Sequence, residues 1–317
     1  MLSRLIFLAV FLVSLVDARA TTTLKSSSSW KKATKEDYVE RNLKTVQAIY
    51  DLTVYPNNVP IATEGVSRVP PGLFSQNAKG RVTPVGKYTS FTESVQHFVS
   101  LAPLPPALPA RTGIYEAEIV SFVSGCPEIA ASVVYLRTGY VDPDTAVHTP
   151  GPQDTTLKQV AFWRFDEEGA VIRFEAWIPN LALWTSISSG INYNDRTIQR
   201  GTIVQSLCPQ IQQRCTGANQ QYDSVDDCVR RLSSIPFGDF DEVWANNVVC
   251  RIIQLIPTAA SPALNCPFVG PDGGGKCVDI NYSIAYFDDQ DLLGSDKPFY
   301  CKEDDWKDYL VHGSDEV

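Results

Sequence analysis

The sequence predicts an α+β fold followed by a smaller, disulfide-rich, mainly helical module. Three observations carry this expectation. Apolar residues recur first at helical spacing and later at every second position through four separate runs. A proline-rich break lies between the two patterns. Seven of the eight cysteines fall between Cys208 and Cys301, beyond the last alternating run.

Residues 1–20 read as a signal peptide. Arg4 precedes the apolar run from Leu5 to Val16, and Ala18-Arg19-Ala20 is a small-x-small cleavage site. Twelve residues span about 18 Å as a helix, short of a ~30 Å bilayer core. The expected product is therefore secreted, with no membrane span in the mature chain. Residues 21–34 are a Thr/Ser-rich leader, expected to be flexible.

A first helix is expected from residue 35 to 50. Thr34 and Asp37 stand close to a capping box, and Val39, Leu43, Val46 and Ile49 share one face. Residues 54–90, rich in Pro and Gly, are expected as a long loop with short helical turns. A second helix follows from Phe91 to Leu101, stopped by Pro103, Pro105, Pro106 and Pro109. Four strands come next: Ile114–Val123, Ile129–Val141, Leu157–Phe165 and Val171–Ile178. The turn Asp166-Glu167-Glu168-Gly169 makes the last two a hairpin. In the final strand Ile172, Phe174, Ala176 and Ile178 form an apolar face, and Arg173, Glu175 and Trp177 a mixed one.

Past residue 190 the pattern changes to short helical pieces, among them Ser224–Leu232 and Phe240–Ile253. Residues 21–190 carry a net charge of −1 and residues 191–317 one of −9. We place domains at 35–190 and 191–301, with an acidic tail at 302–317. The acidic balance argues against nucleic acid as a partner. In an exported chain the cysteines are expected in disulfides. Either Cys126 joins one of Cys208, Cys215, Cys228, Cys250, Cys266, Cys277 and Cys301, giving four bridges, or three bridges leave two free thiols. Four is the expectation, because exposed thiols are reactive outside the cell. Asn281-Tyr282-Ser283 is the one N-glycosylation sequon.

The capped helix of residues 35–50 and the hairpin Val160–Phe165 with Val171–Trp177 resemble the SnoaL-like, or nuclear-transport-factor-2-like, fold. That resemblance covers about residues 35–185. It implies a cone of helices on a curved antiparallel sheet enclosing a pocket, used by some relatives for isomerisation, dehydration or cyclisation and by others for binding alone. Ile235-Pro236-Phe237-Gly238, Trp244–Arg251 and Asn265–Gly270 resemble a cysteine-rich module of secreted fungal proteins. In that pattern histidines stand near the positions of Gln254 and Phe268, and this chain has neither.

Candidate chemistry is sparse. His97, one of three histidines with His148 and His312, lies four residues after Glu93, so the two side chains can meet on a helix. A carboxylate beside the imidazole would raise its pKa and suit a general base. The plain alternative is a surface ion pair. Glu175 is a second candidate base, with Trp163, Trp177 and Tyr135 as pocket walls, if the mixed face lines the pocket. Otherwise that face meets solvent or the second module. Gly270–Cys277 fits six-sevenths of a phosphate-binding loop, but Cys277 stands where Ser or Thr must hold magnesium, so a glycine-rich turn is the better reading. Asp289-Gln290-Asp291 begins like a calcium loop but lacks its fifth and twelfth ligands. No cofactor or metal is expected. The leading function is a secreted, pocket-bearing protein that binds a small apolar or amphipathic molecule. An acid/base enzyme of isomerase, dehydratase or cyclase type is the second. An extracellular interaction protein is the third.

Overall fold

In the computed structural model, which describes residues 35–105 and 111–301, seven strands form one sheet. The signal peptide, the leader with Thr34, Pro106, Pro109 and the acidic tail with His312 lie outside the described residues. The strands are β1 Phe74–Thr83, β2 Gly86–Tyr88, β3 Thr112–Cys126, β4 Ile129–Val141, β5 His148–Thr149, β6 Thr155–Phe165 and β7 Val171–Trp177. Their order is β2-β1-β7-β6-β4-β3, with β5 on β4. All pairs are antiparallel except β1 with β7. Register shifts between β3 and β4, at Ile114/Glu116, Ile119/Ser121 and Val123/Cys126, are bulges that curve the sheet.

The four expected strands are present as β3, β4, β6 and β7. The short helical turns expected at 54–90 are there, as α2 Val59–Glu64 and a turn at 66–68, but the two strands β1 and β2 correct the expected loop. β1 escapes a periodicity reading because its end at residues 80–82 is paired on both sides and buried on both faces. Phe74, Ala78, Gly80 and Val82 turn inward, and Arg81 is buried on the opposite face. Gly80 belongs in that strand because a Cβ there would overlap the Phe174 ring and carbonyl.

Two helical stretches cover the inner face. These are α1 Lys35–Asp51, and α3 Phe91–Val95 continued by a π-helical turn over 96–100. Val46, Ile49, Val95, Phe98 and Val99 pack against Trp163, Phe174 and Ala176. Trp163 is fully buried, and its indole N–H donates to Ser132 Oγ at 2.9 Å.

After β7 come α4 Leu181–Ser189, α5 Arg196–Gly201, α6 Cys208–Arg214, α7 Val225–Leu232, α8 Val248–Leu255, α9 Pro262–Val269, α10 Tyr282–Ala285 and α11 Asp289–Leu293. The expected helix Phe240–Ile253 is broken. A single turn at 240–242 precedes α8, whose start is capped by Asn247 Oδ1 accepting from Cys250 N at 2.7 Å. This region has its own small core of Leu207, Ile211, Tyr222, Leu232, Val248 and Val269. Phe240, Val243 and Val249 instead join the core of the sheet. Cys208–Cys228, Cys215–Cys266 and Cys250–Cys277 staple it, and Cys126–Cys301 ties its end to the sheet. All eight cysteines are therefore bridged. No helix of the described residues is long and apolar enough to cross a membrane.

Residues 286–301 run as a strap across the outer face, pinned at successive strands. From β1, Arg81 holds Glu175 through two bonds of 2.8 Å and reaches Asp289 at 2.7 Å and Asp288 at 3.3 Å. Lys87 also pairs with Asp288. From β7, Arg173 Nε donates to the Leu293 carbonyl at 3.0 Å, and from β6, Arg164 donates to that of Pro298 at 2.8 Å. The Phe162 ring lies 5.9 Å from Phe299, and Cys301 closes the strap at the end of β3.

Two outcomes test this arrangement. Burial pushes the Glu175 carboxyl above its ordinary range, with Arg81 opposing the shift. Replacing Arg81 by Met leaves that carboxylate buried and unpaired, which costs about 3–5 kcal/mol. A carboxyl whose folded pKa exceeds its unfolded one favours folding at low pH and loses that advantage as pH rises. Arg81→Met should therefore lose more stability at pH 7 than at pH 4 in denaturant titrations, and equal losses would contradict the pairing. Changing Cys126 and Cys301 together to Ser should lower stability by about 2–5 kcal/mol. Hydrogen exchange should then rise in residues 286–301 before it rises in β6 or β7.

Candidate functional site

A half-open pocket lies where the α3 stretch meets the second module. It is a cavity of about 20 Å³, room for roughly one water-sized group. Tyr88, Glu93, Gln96, His97 and Leu101 form one wall, and Gln254, Pro257, Asn265, Phe268 and Lys276 the other.

Glu93 owes its place to the start of α3. Ser90 Oγ accepts from Glu93 N at 3.3 Å, while the Glu93 carboxylate accepts from Thr89 N at 2.6 Å and Thr89 Oγ1 at 2.9 Å. Its other oxygen faces Lys276 Nζ at 3.2 Å. One helical turn on, His97 is buried with its ring 4.7 Å from that of Tyr88, and its Nδ1 has no hydrogen-bond partner. The Tyr88 hydroxyl is likewise buried and unpartnered. Burial first, and the Lys276 charge second, lower the His97 pKa to about 3. The expectation of an imidazole raised by Glu93 is thus corrected: the carboxylate is engaged by Thr89 and Lys276. At neutral pH His97 is an uncharged imidazole, able to donate from one nitrogen and accept at the other.

Lys276 arrives from the glycine-rich turn. Gly273, Gly274 and Gly275 all have positive φ, and a Cβ on Gly274 would overlap Pro267 and the Phe268 ring. The fully buried Arg251 fixes the turn's start through the carbonyls of Gly270 at 3.3 Å and Pro271 at 3.1 Å. Cys277 fixes its end in the bridge to Cys250. The ammonium then reaches the Lys87 carbonyl and lies over the Tyr88 ring at 5.0 Å and the Phe268 ring at 5.7 Å. Burial lowers its pKa, and Glu93 opposes the shift.

The cavity therefore brings together Glu93 and His97 of the residues singled out from sequence. Glu175 sits on the outer face under the strap. Trp163 packs inward in the core, while Trp177 and Tyr135 lie on the opposite face of their strands, half-exposed. None of these four lines the cavity. His148 stacks on Tyr115 at 3.7 Å and meets Asp154 at 3.1 Å, also away from it. Asp288 and Asp289 engage Arg81 and Lys87. Among the described residues no group of three His, Cys, Asp or Glu is placed to hold a metal ion. Sequence reasoning missed Tyr88, Lys276, Gln254, Asn265 and Phe268 as lining residues. For Gln254 and Phe268 a signal existed, since the resemblance implies histidines near both positions.

The chain is 27% identical over 258 residues to Aurasperone B biosynthesis cluster protein A of Aspergillus niger, covering 76% of this chain and 78% of that one. It is 26% identical over 257 residues to Bifonsecin B biosynthesis cluster protein A of Aspergillus brasiliensis, covering 76% and 80%. Among solved structures, a putative SnoaL-like polyketide cyclase from Jannaschia sp. CCS1 aligns with 50% of this chain and 98% of its own, at 15% identity and a TM-score of 0.32. Residues 174–280, from β7 through the turn that delivers Lys276, match the model of the BfoA family C-terminal domain.

Proposed function

We propose that this chain is a secreted protein that binds a small organic molecule through one of its oxygens at the His97 cavity. The observation that carries the reading is the pair of unpartnered buried polar atoms, His97 Nδ1 and Tyr88 Oη, beside the partly buried Lys276 ammonium. Native proteins rarely leave such atoms unpaired, because each costs about 1–3 kcal/mol. A ligand oxygen entering here would accept from Tyr88 and meet His97 and Lys276. The cavity admits only a small polar end of such a molecule. Relatives named for biosynthesis clusters support a biosynthetic intermediate or product as the ligand. The four bridges and the lack of a membrane-crossing helix among the described residues are compatible with export.

A second reading is an acid/base enzyme. A neutral imidazole beside an ammonium favours it, since the two can hold a developing oxyanion while a proton moves. On this reading His97 touches substrate, Lys276 stabilises charge, and Glu93 positions Lys276.

Native mass spectrometry of the full chain secreted by its own cells tests the first reading. The wild type should carry a bound organic mass that His97→Leu and Lys276→Met both lose. A wild type with no bound mass, or variants that keep it, would overturn the reading. Turnover of the bound compound by wild type and not by His97→Leu would favour the enzyme. The imidazole itself offers a separate check. Its folded pKa of about 3 lies below the ordinary value of 6.5, so it favours folding above pH 6.5 and less so as pH falls toward 3. The His97 ring proton shifts should stay flat from pH 8 to pH 5, and His97→Leu should weaken acid destabilisation across that range.

A further inference from the structure

The sequon Asn281-Tyr282-Ser283 opens α10, and Asn281 is exposed. Its Oδ1 accepts from Ser283 N at 3.0 Å, which leaves the amide nitrogen, the atom that carries a glycan, unengaged by that bond. The loop around it is held at both ends. Cys277 is bridged to Cys250 just before it, and Asp288 and Asp289 are tied to Arg81 just after it. The sequon is thus displayed at a fixed place on the surface.

The same short loop carries an apolar patch. Tyr282, Ile284 and Phe287 are 64%, 63% and 63% exposed. The Tyr282 ring lies edge-on to Phe287 at 5.5 Å and 5.1 Å from Tyr286, which in turn packs on Trp244 at 4.9 Å. Scattered apolar residues on a surface need no explanation, but three large ones within six residues form a sticky spot. The neighbouring anchors hold the loop in place, so the patch does not turn inward. What lies within reach of it is the Asn281 side chain, one residue from Tyr282.

We propose that Asn281 carries an N-linked glycan and that this glycan covers the patch of Tyr282, Ile284 and Phe287. A glycan is bulky and well hydrated, and at this position it places sugar over the rings while its hydroxyls face water. Oxidising export, proposed above, is the condition under which the sugar is added.

The test uses the full chain expressed in a secreting eukaryotic host. Medium and cell fractions are analysed by intact mass before and after peptide-N-glycosidase digestion. Wild-type protein from the medium should fall in mass on digestion, with Asn281 converted to Asp in the mapped peptide. Ser283→Ala keeps the asparagine but removes the sequon, and should be secreted at the mass of the bare chain. That variant should bind an apolar fluorescent dye more strongly than wild type, and adding Tyr282→Ser with Phe287→Ser should remove the excess. Secreted wild type at bare mass would overturn the proposal while leaving export standing. Bare protein confined to cells would overturn both, and the fraction in which it is found tells the two apart. A glycan whose removal leaves dye binding unchanged would overturn the covering role.

Discussion

A buried guanidinium, Arg81, joins two neighbouring strands of the sheet to the strap that crosses them. It lies on β1, takes both oxygens of Glu175 on the parallel neighbour β7, and reaches Asp288 and Asp289 in the strap. Neither Arg81 nor Glu175 can stand alone in that position, since an isolated buried charge is far costlier than a paired one. The pairing therefore requires β1 in its place beside β7, and it requires the strap above. From that point Arg173 and Arg164 repeat the device more simply, each donating to a strap carbonyl, until Cys301 ends the run at Cys126. The mixed face of β7, which sequence leaves open between solvent and the second module, is a docking face for the chain's own C-terminal segment.

This constraint also explains what sequence could and could not show. β3, β4, β6 and β7 are legible because each alternates between an apolar core side and a polar side. β1 is not, because its outward Arg81 is buried by a partner some two hundred residues away, and its Gly80 looks like a turn residue when its neighbour Phe174 is unseen. The break before α8 is hidden for a similar reason: Asn247 is a cap only once the chain has turned there. In the candidate site, Glu93 and His97 are legible as a helical pair, but their relationship is not. The carboxylate's attachment to Thr89 follows from local capping. Its attachment to Lys276 depends on a contact across 183 positions that no spacing rule reports. The glycine-rich run is readable as a turn. The place to which it carries Lys276 is set by Arg251 and the Cys250–Cys277 bridge together.

The departure from the resembling cysteine-rich pattern acquires a location. Gln254 and Phe268, near whose positions the resemblance implies histidines, face the same cavity as His97. This chain presents there an amide and an aromatic ring beside a single imidazole. A site with several imidazoles would have metal-ligand character. This one has the character of a hydrogen-bonding socket with an apolar lip.

The bridge next to Lys276 adds a covalent tie to that socket. One wall comes from residues 88–101 and the other from 254–276, and the ammonium that spans them is bonded through its backbone to Cys277. The bridge anchors the turn that carries Lys276, so the geometry of the second wall is tied to a covalent bond that a reductant can break.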